Sequence, residues 1–214
     1  MFTYDKESII KKMLSNKIVL VIRGYDTDTV INIVECVVSA GIYNIEITMD
    51  SPNAKKTIKK LIEKFGEKAI IGAGTVLSVG DTLDAIKAGA KYIVSPIDLT
   101  EMIPVTEKFG AVSMIGGVTP SEIFRNSKAG ADFVKFFPAS KFGSGYIKDV
   151  LGPLDEINFY ISGGVKYDNI EEFIKAGVKL IGVGSAILDN EAIKNDNWDE
   201  IYNRAKKISE FGME

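Results

Sequence analysis

Lys128-Ala129-Gly130-Ala131-Asp132-Phe133-Val134-Lys135 joins the end of an amphipathic stretch to an apolar run, and the chain repeats that join. Ser39-Ala40-Gly41-Ile42-Tyr43-Asn44-Ile45-Glu46, Lys87-Ala88-Gly89-Ala90-Lys91-Tyr92-Ile93-Val94 and Lys175-Ala176-Gly177-Val178-Lys179-Leu180-Ile181-Gly182 are its other copies. Glycine just past a helix takes the left-handed conformation at little cost, and a short loop then delivers a strand. Successive copies are roughly forty to fifty residues apart, enough for two βα units. The intervening strands are readable as Ala69-Ile70-Ile71-Gly72-Ala73 and Val112-Ser113-Met114-Ile115-Gly116. Ile18-Val19-Leu20-Val21-Ile22 opens the series and Asn158-Phe159-Tyr160-Ile161 supplies the seventh member, which makes eight strands.

Apolar residues at three- and four-residue spacing predict helices over Thr29 to Val38, Ala54 to Phe65, Thr82 to Ala88, Met102 to Phe109, Ser121 to Ala129 and Ile170 to Ala176. Strict alternation of strand and helix implies a parallel sheet with helical crossovers. Eight units in this length point to an α/β fold of the (β/α)8 TIM-barrel type, one domain over residues 1–214. A helix from about Ser8 to Leu14 is expected to close the barrel bottom, and one from about Asp199 to Phe211 to pack outside. An open dinucleotide-binding sheet needs a glycine-rich fingerprint after the first strand, and Arg23-Gly24-Tyr25-Asp26 does not supply it.

Composition narrows the function. A chain of 214 residues that is 46% hydrophobic can bury a full core. A net charge of -3 gives no basic footprint, which argues against nucleic acid or an anionic membrane surface as partner and favours a small molecule. No apolar segment is long enough to span a bilayer, and Met1 to Lys12 lacks the apolar core of a signal peptide, so a cytoplasmic protein is expected. Cys36 is the sole cysteine and histidine is absent, so neither a metal nor a cofactor is anticipated.

Lys135 is the anomaly in this frame. A strand covered on both faces reads as a continuous apolar run, and a charge within it costs several kcal/mol unless it is paired or neutralised. A desolvated amine attacks carbonyl carbons to form a Schiff base, whereas a paired one can serve structure alone. Alternation places Phe133, Lys135 and Phe137 on one face of strand 6, and Asn44, Glu46 and Thr48 on one face of strand 2. Both are even strands, which fill common layers inside a barrel, so Glu46 and Lys135 can approach. A carboxylate beside the amine can carry the protons that imine chemistry moves, or merely close an ion pair. Phe133, Phe136 and Tyr160 read as packing, and Trp198 as part of a polar segment capping the last helix.

The loops after the last two strands, Ser162-Gly163-Gly164-Val165 and Gly182-Val183-Gly184-Ser185-Ala186, lie where many barrels bind phosphate through backbone N–H groups and the N-terminus of a short helix. Glycines here can also simply permit tight turns. Two such loops on adjacent strands favour a phosphorylated substrate, with Ser185 adding a hydroxyl.

Glu46-Ile47-Thr48, Gly72-Ala73-Gly74-Thr75-Val76, Val94-Ser95-Pro96, Gly117-Val118-Thr119-Pro120-Ser121-Glu122, Lys135-Phe136-Phe137-Pro138-Ala139, Ser162-Gly163-Gly164-Val165 and Gly182-Val183-Gly184-Ser185 resemble, in order, motifs of the 2-keto-3-deoxy-6-phosphogluconate (KDPG) and 4-hydroxy-2-oxoglutarate (KHG) aldolase family. The resemblance runs from about Lys17 to Leu188. It implies a metal-free class I aldolase that cleaves KDPG to pyruvate and glyceraldehyde 3-phosphate, often cleaves KHG as well, and forms a homotrimer. By the same resemblance Lys135 is the Schiff-base lysine and Glu46 the general acid–base. Thr75, Pro96, Phe137 and Ser162 then surround the substrate, and Gly163, Gly164, Gly184 and Ser185 form the phosphate site.

There are departures. Some family members carry arginine where this chain has Asp50, and Arg23 resembles an arginine that others place after strand 1. Arg23 is therefore expected to hold the substrate carboxylate, with Asp50 a solvated loop residue. Gly116 stands where relatives often have proline, and Ser162 where threonine is common. Asp50-Ser51-Pro52 and Ser140 to Lys148 resemble the galactonate branch of the family, which acts on the C4 epimer. Two further readings are open: a metal-free sugar-phosphate isomerase, epimerase or decarboxylase barrel, and a catalytically silent binding protein on the same fold.

Overall fold

The structure, a computed structural model, describes residues 3–212; the outermost two residues at each end of the expected domain lie outside it. The elements run α1 (Lys6–Leu14), β1 (Ile18–Ile22), α2 (Thr27–Ser39), β2 (Asn44–Thr48), α3 (Ala54–Phe65), β3 (Ile70–Gly74), α4 (Val79–Ala88), β4 (Tyr92–Val94), α5 (Ile103–Phe109), β5 (Val112–Gly116), α6 (Pro120–Lys128), β6 (Phe133–Phe136), α7 (Ala139–Leu151), β7 (Phe159–Ile161), α8 (Ile170–Lys175), β8 (Leu180–Val183), α9 (Asn190–Lys194) and α10 (Trp198–Ser209). A 3-10 turn, Thr100–Met102, leads into α5. Each strand pairs in parallel with the next, and β8 returns to β1, so the eight strands close a barrel.

The recurring glycines act as the repeat predicts. Gly41, Gly89, Gly130 and Gly177 all have positive φ, between 94° and 108°, where any other residue is strained. At the opposite helix ends, side chains satisfy free N–H groups: Asp26 starts α2, Ser78 starts α4, and Thr119 with Glu122 forms a capping box on α6.

Alternation then divides the core into two shells. Outward-facing Leu20, Ile45, Ile71, Ile93, Ile115, Val134 and Ile181 meet the helices. Inward-facing Val19, Ile70, Tyr92, Val112, Met114, Phe133 and Leu180 fill the axis, and Ile9 and Met13 of α1 pack beneath them. Each such side chain contributes about 1.5–3 kcal/mol by burial. Polar contacts pin α1 in place as a plug. Lys6 pairs with Glu107 and, at 3.1 Å, with Asp132, while Asn44 Nδ2 donates from the barrel floor to the carbonyls of Met13 and Asn16.

Two helices escape the periodicity reading. α7 begins directly after Pro138 and is broken at Gly143 (φ 77°, ψ 171°), so its Gly- and Ser-rich first turns show no apolar period. Phe142 and Tyr146 of α7 nevertheless pack on Phe136, with ring centroids 5.3 and 5.5 Å away. α9 is only five residues long, too short for a period to register.

Candidate active site

Strand register brings the polar residues to one end of the barrel. β2 and β6 lie on opposite sides of the axis, and their inward-facing Glu46 and Lys135 meet across it, with Lys135 Nζ 3.7 Å from Glu46 Oε1. The side chains are 1% and 7% exposed, so the pair is withdrawn from solvent while still opening on the cavity above. Tyr160 of β7 donates its hydroxyl to Glu46 Oε2 at 2.6 Å, whereas Oε1 has no hydrogen bond among the described residues. Burial, and then the charge of Glu46, pushes the Tyr160 and Tyr92 hydroxyls well above the usual phenol range, so both remain protonated at neutral pH.

Glycines make the room. A Cβ on Gly74 would lie 1.9 Å from Glu46 Oε1, one on Gly72 would lie 2.3 Å from the Tyr92 ring, and one on Gly182 would lie 2.6 Å from the Tyr160 hydroxyl. Glu46 and the two tyrosines therefore occupy volume that β3 and β8 give up.

Above them is a cavity of about 620 Å³ at the C-terminal ends of the strands. Every site residue expected from the sequence borders it. Arg23, Thr75 and Pro96 lie along the β1, β3 and β4 side, and Phe137 and Ser162 along the β6 and β7 side. Gly163, Gly164, Gly184 and Ser185 form a lip, joined by Leu188 and Asn190. Gly163 and Gly164 have φ of 90° and 75°, and a Cβ on Gly164 would lie 2.1 Å from Ser140 Oγ. The amide N–H groups of Gly164 and Ser185 make no hydrogen bond among the described residues, so they can face an anion. The short helix expected there is a single turn: the N–H groups of Ile187 and Leu188 both bond to Gly184 O, and α9 starts only at Asn190.

Arg23 is held rather than loose. Its Nη1 pairs with Asp50, and its Nη2 donates to Thr75 Oγ1 at 2.8 Å. Asp50 is thus not a free solvated loop carboxylate, although its side chain is 48% exposed. Thr75 has φ 55°, a left-handed conformation that is costly for a β-branched residue, and its hydroxyl is aimed at Arg23. Gly24 N donates to Ser51 Oγ at 2.9 Å, tying the loops after β1 and β2 together beneath the guanidinium.

The arrangement offers an amine, a carboxylate 3.7 Å from it, a guanidinium at the rim and a polar glycine lip, which suits a small anionic carbonyl compound. The family model for KDPG and KHG aldolase matches residues 9–204. The chain belongs to that family. It is accordingly an aldolase, a carbon–carbon lyase on a closed eight-stranded barrel. It is similar to the 2-dehydro-3-deoxy-6-phosphogalactonate aldolase of Escherichia coli K12, 35% identical over 170 residues that make up 78% of this chain and 82% of that one. Likeness extends to the 2-dehydro-3-deoxy-phosphogluconate aldolase of Pseudoalteromonas atlantica, 30% identical over 88% of this chain and 87% of the relative. Among solved structures, a KDPG aldolase from Legionella pneumophila, with pyruvate captured as a covalent carbinolamine intermediate, superposes with a TM-score of 0.85. That match is 29% identical and covers 95% of this chain and 97% of the other.

The tyrosines are what sequence reasoning missed. Tyr160 read as packing, yet its hydroxyl contacts Glu46. The available signal was parity: Tyr160 lies two residues before Ser162 on the inward face of β7, level with Lys135 in the sheet register.

Proposed function

We propose that this aldolase cleaves a phosphorylated 2-keto-3-deoxy sugar acid, KDPG in the first instance, to pyruvate and glyceraldehyde 3-phosphate through an imine on Lys135. The observation that carries the reading is the buried Lys135–Glu46 pair at 3.7 Å on the floor of the cavity. Lys135 Nζ adds to the C2 ketone, and the carbinolamine loses water to give a protonated imine. Glu46 takes the proton of the C4 hydroxyl as the C3–C4 bond breaks, and the bonding electrons pass into the imine to form an enamine. The aldehyde leaves, C3 is reprotonated, and water releases pyruvate from the lysine.

Arg23, steadied by Asp50 and Thr75, is the group proposed to hold the C1 carboxylate, because its planar fork suits two parallel hydrogen bonds. Pro96, Phe137 and Ser162 border the ketone half, and Gly163, Gly164, Gly184 and Ser185 receive the phosphate. The reaction needs no metal or cofactor on this route. KHG, a shorter dicarboxylic substrate, fits the same floor chemistry.

The E. coli relative favours a second reading, the galactonate epimer. Cleavage turns C4 into the aldehyde carbon and erases its stereochemistry, so both epimers give the same products. The choice rests on the few groups around one hydroxyl. A homotrimer is part of the proposal too, and exposed Leu77, Ile97 and Phe124 on successive units of the barrel supply apolar surface for it.

Borohydride reduction in the presence of pyruvate is the test. A stable adduct on Lys135 that disappears in Lys135→Met is the expected result, and an unmodified lysine would sink the imine mechanism. Cleavage assays on the two epimers and KHG, side by side, rank the substrates.

A further inference from the structure

Tyr160 touches both members of the buried pair. Its hydroxyl donates to Glu46 Oε2 at 2.6 Å, and the Lys135 ammonium lies 5.6 Å from the centre of its ring. It is fully buried and does not border the cavity, so it does not meet substrate directly. Its place is constructed: Gly182 on β8 leaves the space its hydroxyl occupies, and Gly74 on β3 leaves the space of the Glu46 oxygen it does not bond. A carboxylate on a flexible stem, held at one oxygen, has its other oxygen fixed in direction. Here that second oxygen, Oε1, has no hydrogen bond among the described residues and lies 3.7 Å from Lys135 Nζ.

We propose that Tyr160 is a positioning residue for the lyase reaction: its hydroxyl anchors Oε2 of Glu46 and so presents Oε1 to the Lys135 amine and to the reacting hydroxyl. This rests on the reading of Glu46 as the proton carrier. The other groups facing Glu46 do not substitute for it. β4 presents Tyr92, whose hydroxyl has no hydrogen-bond partner; β6 presents Lys135; β1 presents apolar Val21 at the same level; β3 and β8 present Gly74 and Gly182.

Tyr160→Phe keeps the ring and removes the anchor. Its kcat is expected to fall about tenfold or more, with KM for the sugar acid held within about twofold. Gly182→Ala, whose Cβ would crowd the same hydroxyl at 2.6 Å, is expected to lower kcat in the same way. In a double-mutant cycle, Tyr160→Phe placed on Glu46→Gln is expected to change kcat by less than about twofold. Wild-type kcat in Tyr160→Phe, or an equal loss in both backgrounds, would overturn the positioning role. Full activity in Glu46→Gln alone would instead remove the proton-carrier reading, and the present inference with it.

Discussion

The two halves of the barrel interior make opposite use of their inward-facing positions. Toward the N-terminal end, Val19, Ile70, Val112, Met114, Phe133 and Leu180 fill the axis, and α1 seals it with Ile9 and Met13. Toward the C-terminal end, β3 offers Gly72 and Gly74 at such positions, and β8 offers Gly182 and Gly184. The released volume holds Glu46 and Tyr160, with Lys135 3.7 Å from the carboxylate and the cavity above them. A protein interior is close-packed, so a charged pair can enter it only where neighbours shed side chains. In this barrel, stability resides where the axis is filled and chemistry where it is emptied.

That contrast can be broken by three substitutions. Phe133→Ala, in the filled half, is expected to cost roughly 3–5 kcal/mol of stability, read from denaturant midpoints, while the folded fraction keeps its kcat. A loss below about 1 kcal/mol would mean that the lower half is not packed as described. Gly74→Ala, in the emptied half, puts a methyl where Glu46 Oε1 sits, and kcat is expected to fall on the order of 100-fold, with a much smaller stability change than Phe133→Ala. Unchanged turnover would show that the carboxylate can relocate without harm. At the rim, Arg23→Ala removes an exposed ion pair worth at most about 1 kcal/mol of stability, yet KM is expected to rise about tenfold. An unchanged KM would take Arg23 out of carboxylate binding.

The filled half is also the half that the sequence describes best. Helix α3 was readable to the residue, Ala54–Phe65, because its apolar positions recur at helical spacing against a lysine-rich outer face. β1 and β5 were equally plain, because a strand buried on both faces is a short apolar block with sharp ends. In the emptied half, the meeting of Lys135 and Glu46 was legible because each is chemically out of place in an apolar strand. Reading failed where the information lies in a distant partner. Tyr160 and Glu46 are 114 positions apart, and nothing local marks a tyrosine in an apolar strand as a hydrogen-bond donor. Asp50 and Arg23 come from different loops, and their pairing depends on how β1 and β2 end side by side. α7 was missed for a third reason: Gly143 breaks the helical path, so the apolar period never builds.

The plug at the barrel floor sets a direction for traffic. Since α1 packs under the axis and the cavity opens at the other end, a substrate joined to Lys135, as proposed, would have its bulk between that joint and solvent. On the proposed route the aldehyde fragment stands nearer the mouth and leaves as soon as the C3–C4 bond is broken, whereas pyruvate waits for water to reach the imine beneath. Release is therefore sequential by layout, with the free aldehyde gone before the keto acid. Pyruvate, the last to depart, is then the product that competes with fresh sugar acid for the empty enzyme.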